Sequence, residues 1–586
     1  VTPSVAALRR EEEDMKEFLR TVLAVLVAVF ILVFFAGLIG YAKSSQKPDV
    51  KDGSYLVLNL AGEIVDYPIG GLSSQLFGGG PGSQAVLLED LEKAAVDDRI
   101  KGVILRIDNS TLGFAKLEEL RDAVRKVQGK GKKVYGYSEF LSGRPYYIAA
   151  ACDSIFMPRS GYVELKGWAS AALFVKGSLD KLGIKPNIHR IEKYKSAAEL
   201  VTRENMSPES REQTTWLMND LYAEYITAVA ADRSMTPGEF ESAFETALFL
   251  PEDAAEAGFI DATLYWDQLE DRLKEPDDKK LKTVSGSKYA KVKRADLGLK
   301  GKKIAIVHAQ GLIHSGTSGV DPMFGMTMGA RSVVKDLRAV MEDEDIVGVV
   351  FRVDSPGGSG LASDEIGRWA SVVGTKKPIV VSMSDVAASG GYMISHRIRP
   401  IVACPNTITG SIGSITGKFN MHGLYDKLGI TYDFVVKGPN ALIDSDYSDW
   451  TDEEAEIVAE NHWKGFEDWE RDIAKHRDMT FEQVDSVARG RVWTGRQALD
   501  RDLVDKLGGL DVALAAVKDK AQIPADENVT LVHYPIKKGL LESLMSGELV
   551  TMVKNVLSYR VRSYLLQWAF EAQSGWYVAP YVYVAQ

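Results

Sequence analysis

Asp385-Val-Ala-Ala-Ser-Gly-Gly-Tyr392 sets one hydroxyl, that of Ser389, among residues too small to shield it. A serine so placed can attack a substrate backbone if a base takes its proton. The apolar stretch that follows predicts a helix starting here, whose N-terminal dipole favours a developing alkoxide. Capping that helix is the plainer use of the same hydroxyl. Upstream, Arg352-Val-Asp-Ser-Pro-Gly-Gly358 leaves an apolar run through a tight turn. Pro356 fixes φ, while Gly357 and Gly358 permit backbone angles closed to other residues. Turns of this kind present N–H groups to an anion or a developing oxyanion, although an ordinary turn has the same composition. Tyr194-Lys195-Ser196-Ala197 offers an amine. Lysine is protonated at neutral pH, with an ordinary pKa of about 10.4; only burial makes it a base. Nothing in the sequence separates Lys195 from Lys193, and a solvated surface charge is the usual role of either.

Other chemistries find little support. Cys152 and Cys404 form no CxxC pair, and the eight histidines show no HExxH or similar spacing, so no metal or redox cofactor is expected. His396 follows Ser389 by seven residues, roughly 10 Å along a helix, and is a poor candidate base. There is no GxSxG elbow and no Walker A motif, which argues against a Ser-His-Asp hydrolase and against ATP dependence. A net charge of −11 argues against nucleic acid as a partner.

These residues need elements to bring them together. The chain has 586 residues, too many for one ordinary core, and it repeats itself. Lys181-Leu-Gly-Ile184 recurs as Lys427-Leu-Gly-Ile430, and Arg106-Ile-Asp108 as Arg352-Val-Asp354, both 246 residues on. Each copy predicts a strand (Val103–Ile107; Val349–Val353), a helix (Leu117–Val127; Asp364–Val373), a second strand (Lys133–Tyr137; Pro378–Met383) and a third (Ser154–Met157; Pro400–Ala403). Strands alternating with helices point to an α/β fold with a largely parallel sheet. The stretch Glu275–Lys303, rich in Lys and Asp, reads as a join, and the repeat ends near Asp519. Beyond it, Leu557, Val561, Leu565 and Trp568 stand at helical spacing and are expected to pack on the domain, with a membrane-surface helix as the alternative.

The copies differ where chemistry is at stake. The first reads Arg106-Ile-Asp-Asn-Ser-Thr-Leu112, without the glycine pair, and Phe140-Leu-Ser-Gly-Arg-Pro-Tyr-Tyr147, where Gly143 or Arg144 stands in the serine's place, depending on a one-residue gap. Conversely, Lys195 of the first copy corresponds to Ala441. Near the N-terminus, Thr21–Ala42 is 22 residues without a charge, roughly 33 Å as a helix and long enough to span a bilayer. An uncleaved anchor is expected, with a cleaved leader as the rival.

ASGGY with the earlier DSPGG, TGSIG at Thr409–Gly413, YKSA followed by MSP at Met206–Pro208, the anchor and the duplication together resemble the long form of signal peptide peptidase A over roughly residues 20–535. The resemblance implies Ser389 as nucleophile, Lys195 as general base from the other half, and Ser411 as the serine that orients the lysine. It also implies an oxyanion hole from Gly357, Gly358 and Gly390. The implied fold is tandem crotonase/Clp-protease-like domains of stacked ββα units. The implied layout is a cytoplasmic tail (1–20), an anchor (21–42), a lysine-bearing domain (43–275), a linker (276–303), a serine-bearing domain (304–518) and an extension (519–586). A homotetramer on the outer face of the bacterial inner membrane, digesting cleaved signal peptides and short apolar peptides, is the expected assembly and activity. Residues after YKSA read Ala-Glu-Leu-Val where the family has an acidic-Pro-Phe run, which leaves substrate preference open. A crotonase-type acyl-CoA enzyme and a catalytically silent membrane scaffold are the alternatives.

Overall fold

The computed structural model describes residues 48–68, 81–321 and 325–536, together with the backbone of two short strands at 576–578 and 584–585. Thr21–Ala42 and the Leu557–Trp568 stripe lie outside these residues. Among the described ones no helix is long and apolar enough to cross a membrane.

The first half runs β1 (Ser54–Gly62), β2 (Ile100–Ser110), α1 (Phe114–Gly129), β3 (Lys133–Tyr137), β4 (Phe140–Ser142), α2 (Gly143–Ala150), β5 (Ser154–Met157), β6 (Tyr162–Leu165), β7 (Lys185–Ile191), α3 (Pro208–Asp232) and β8 (Thr283–Ser285). The second runs β9 (Lys302–Gln310), β10 (Ile346–Ser355), β11 (Gly357–Ser359), α4 (Gly360–Gly374), β12 (Ile379–Ala388), α5 (Gly390–Met393), β13 (Ile401–Ala403), β14 (Ile408–Gly410), β15 (Ser414–Asn420), β16 (Val492–Thr494) and β17 (Val529–Tyr534). The main sheets share one parallel order, β5-β3-β2-β1-β8 in the first half and β13-β12-β10-β9-β17 in the second. Continuous apolar runs explain the arrangement. Gly348–Val353 of β10 is buried at every residue, as a parallel strand covered on both faces requires.

Several expected boundaries move, each for a local reason. α1 and α4 begin three or four residues earlier than the apolar pattern predicts, and the Ser359 side chain caps α4 by accepting from Ala362 N–H. β12 runs on to Ala388 because it changes partner: Val381–Met383 pair with β13, whereas Val386–Ala388 pair with β14. That switch moves the chain from beside β13 to beside β14, within the same sheet, just before Ser389. The expected join is not a free linker. Thr283–Ser285 completes the first sheet as β8, and Tyr289 is buried with its hydroxyl donating to Asp97 at 3.1 Å. A three-residue edge strand turns only Val284 inward, so it leaves no periodicity to read. The repeat likewise continues past Asp519, since β17 lies 246 residues beyond β8 and takes the same edge.

The halves are joined by an antiparallel ribbon in which β7 pairs with β15, from Lys185↔Asn420 to Ile191↔Ser414. Lys195 follows one strand of this ribbon and Ser411 precedes the other.

If the segment before β9 is part of the first core, Tyr289→Ala should lower unfolding free energy by about 3–5 kcal/mol, the range for a large buried aromatic. Urea unfolding measures it, and an unchanged midpoint would show that Tyr289 contributes no packing.

Candidate active site

Ser389 sits between β12 and α5 with φ 57° and ψ −118°, a conformation that L-residues hold only when surroundings enforce it. Its N–H donates to Gly410 O at 2.8 Å. Behind it, a Cβ on Gly391 would lie 2.5 Å from the Ser355 carbonyl oxygen, so only glycine lets α5 start here. The Ser389 side chain makes no capping bond to α5. Its Oγ lies instead 2.8 Å from Lys195 Nζ.

Lys195 arrives from the first half on a loop that the second half holds. Tyr194 N–H donates to Arg489 O at 3.2 Å. Gly490, with φ +77°, lies so close that a Cβ there would be 2.4 Å from Lys195 N. Gln213, buried on α3, donates to Tyr194 O and Ser196 Oγ at 3.3 Å and accepts from Val492 N–H at 3.1 Å, tying the loop to β16. Nearby, Glu199 accepts from Ser207 N–H at 3.0 Å, so the MSP motif anchors the same loop. Lys193 is exposed. Gln213 and Gly490 leave no mark in the sequence because the contacts that tie the two halves here, Gln213 with Val492 and Gly490 with Lys195, join residues hundreds of positions apart.

The Lys195 amine is wholly buried, and its partners are Ser389 Oγ at 2.8 Å, Ser411 O at 2.8 Å and Ser411 Oγ at 2.9 Å. None is charged. Burial therefore holds its pKa well below the ordinary lysine value, with no carboxylate to oppose it. A neutral amine has two N–H donors and one lone pair. Donating both to Ser411 turns the lone pair toward the Ser389 hydroxyl, the geometry in which an amine takes a hydroxyl proton. Ser411 is itself fixed at φ 52°, its N–H donating to Arg491 O at 2.6 Å.

The three glycines are not equivalent. Gly357 N–H donates to Ser355 Oγ at 3.1 Å and is thereby occupied. Gly358 (φ +147°) admits no side chain, since a Cβ would lie 2.1 Å from Ile313 O, and its nitrogen is 3.2 Å from where a Cβ on Gly390 would stand. Gly358 and Gly390 thus adjoin beside Ser389. The backbone strand Trp576–Val578 lies antiparallel on β11, pairing Gly358 with Tyr577.

The first copy has the same frame without these groups. β4 pairs with β6 in the register that β12 keeps with β14, which puts Gly143 (φ +27°), not Arg144, in the place of Ser389, and Leu165 in that of Ser411. Leu112 replaces Gly358, and Arg144 Nη1 donates to its carbonyl at 3.1 Å. His396 is turned away from Ser389, with Nδ1 2.8 Å from Met393 O and Nε2 2.9 Å from Asp472. With Asp472 and His476 it forms a group whose ligand atoms lie within 4.8 Å of one another, which sequence spacing does not reveal; Asp472 is also held by Arg397 at 2.5 Å.

A lowered lysine pKa has a signature in stability. The amine must be kept uncharged at a cost that grows as pH falls below 10.5, by about 1.4 kcal/mol per pH unit, until the folded-state pKa is reached. Lys195→Met should therefore gain stability relative to the parent progressively from pH 10 downward and then level off. A difference independent of pH in melting scans would mean that the amine keeps its ordinary pKa.

Residues 126–282 and 372–524 match the family model for Peptidase family S49. The chain is 36% identical to the chloroplastic serine protease SPPA of Arabidopsis thaliana, over 85% of its own length and 74% of that protein. It is 32% identical to Protease 4 of Salmonella typhi (86% and 84% covered) and 29% identical to Protease 4 of Haemophilus influenzae (78% of each). The matched stretches fall one in each copy of the repeat, and the relatives span both. The chain is a serine peptidase and belongs to peptidase family S49.

Proposed function

We propose that Ser389 is the nucleophile and Lys195 the general base of an ATP-independent endopeptidase that digests cleaved signal peptides and other short apolar peptides. Lys195 takes the Ser389 proton as Oγ attacks the scissile carbonyl and returns it to the leaving amine, and a water activated by the same amine hydrolyses the acyl-enzyme. Ser411 orients the amine. The Gly358 and Gly390 amides receive the oxyanion, with Gly357 shaping the turn. The observation that carries this reading is the 2.8 Å contact between a fully buried amine and a strained serine. The antiparallel seat of Trp576–Val578 on β11 supports an extended peptide as substrate. The parallel ββα frame supports the crotonase/Clp-protease type of fold, with the first half, running through Ser285, supplying the lysine and the second, running through Tyr534, the serine. The uncharged run at 21–42 supports a single-pass anchor, with the catalytic domains on the outer face of the bacterial inner membrane.

A fluorophosphonate probe should label Ser389 in the parent chain, and Ser389→Ala should lose labelling and peptide cleavage together. Cleavage that survives in Ser389→Ala would remove Ser389 as the nucleophile, and a parent chain that neither labels nor cleaves would favour the silent scaffold or the acyl-CoA enzyme.

The assembly reading is a homotetramer, and the repeat supports a specific contact. Strand β7 of the first copy pairs with β15 of the second. The equivalents, residues 431–437 and 168–174, are not paired with each other within the chain; residues 431–437 are exposed and carry no strand, while Ala169–Ser170 take only the two-residue strand Val584–Ala585. Joining 431–437 of one copy to 168–174 of the next repeats the internal ribbon head to tail, a contact that builds a ring where its rotation closes. The register pairs Phe434 with Ala171. An Ala171→Cys/Phe434→Cys double variant should oxidise to a ladder ending at the tetramer. Monomer alone would overturn the contact, and a ladder ending elsewhere would overturn the number.

A further inference from the structure

The first half touches the site a second time, through Lys116 on the first turn of α1. Lys116 Nζ lies 2.6 Å from Asp354 and 3.3 Å from Asp385, and its side chain is 6% exposed. Asp354 is the penultimate residue of β10, the strand that leads into the glycine turn, and Asp385 lies four residues before Ser389. Gly113 N–H and Lys116 N–H also donate to the Asp385 carboxylate at 3.0 Å each. Asp354 in turn accepts from Val386 N–H at 3.1 Å, bonding the two limbs to each other. A Cβ on Gly113 would sit 2.4 Å from Asp385, so the helix start is fitted to this carboxylate. Two residues before Asp354, Arg352 is held by Asp66 at 3.0 Å and Glu119 at 2.7 Å, both from the first half.

The clamp exists only around the active copy. At the repeat offset Lys116 corresponds to Ala362, and the counterparts of Asp354 and Asp385, Asp108 and Glu139, are exposed. Simple adhesion between halves has no need to grip both limbs of one site. Other ion pairs serve that end, among them Lys126 with Asp511 at 2.6 Å, from the same helix but away from either limb.

We infer that Lys116 is a positioning residue for the reaction: by binding Asp354 and Asp385 together it fixes the spacing between the glycine turn and Ser389. The inference rests on Ser389 and Lys195 being the reacting pair. Lys116 touches neither substrate nor reacting atom. It sets the distance between the attacking oxygen and the amides that receive the oxyanion, and misplacement by about 1 Å costs on the order of 10²-fold in rate.

The test uses the full chain in detergent, with kcat and KM on an apolar peptide and the rate of Ser389 acylation by a fluorophosphonate. Lys116→Met should lower kcat and the acylation rate by about 10²-fold with KM unchanged, the mark of an interaction needed in the transition state. Lys116→Arg should recover most of the rate, and Lys126→Met should behave as the parent. Parental kcat in Lys116→Met, equal losses in Lys126→Met, or no recovery with arginine would each overturn the inference. If Lys116→Met does not fold, Asp385→Asn, which keeps the shape and an acceptor, is read in its place; the same loss is expected, and parental kcat overturns the proposal. An active Lys195→Ala control would sink the reacting pair as well, whereas an active Lys116→Met alone would sink only the clamp.

Discussion

The structure depends on keeping one amine out of water with no countercharge. Lys195 is surrounded by two hydroxyls and a carbonyl, and the absence of a carboxylate among its partners matters as much as the burial. A carboxylate there would stabilise the ammonium and take away the base proposed for Ser389. Two other buried cations are paired with carboxylates. Arg352 has Asp66 and Glu119, and Lys116 has Asp354 and Asp385. The contrast between two buried lysines, one between carboxylates and one with none, separates a paired charge from the amine proposed as base.

Duplication supplies the means. A site on one copy would draw base and nucleophile from the same sheet, whereas here each half gives up what the other keeps. The first half has lost the serine position to Gly143 and the glycine position to Leu112, and the second has Ala441 where the first has Lys195. The ribbon of β7 and β15 converts this asymmetry into contact, because Lys195 follows one strand and Ser411 precedes the other. The geometry of the proposed site is therefore set by how the halves sit on each other.

Much of this was legible in the residues. The small setting of Ser389, the Pro-Gly-Gly turn and the differences between copies set the second half apart as the place for the proposed nucleophile, and the 246-residue offset carries the strand order. Three things were not. Short edge strands such as Thr283–Ser285 turn one residue inward and leave no period. Glycine roles depend on which N–H is already spent, and Gly357 is spent on Ser355. Gln213, Gly490 and Lys116 act on residues remote in sequence, and nothing local distinguishes them from a solvated glutamine, an ordinary turn and a surface lysine.

The protonation state of Lys195 decides whether the proposed base can act, and the pH dependence of Ser389 acylation reads it directly. The rate of fluorophosphonate labelling should fall about tenfold per pH unit on a single acid limb, centred below the ordinary lysine range, and that limb should vanish in Lys195→Ala along with nearly all of the rate. An acid limb that persists unchanged in Lys195→Ala, or one centred near the ordinary lysine value, would contradict it.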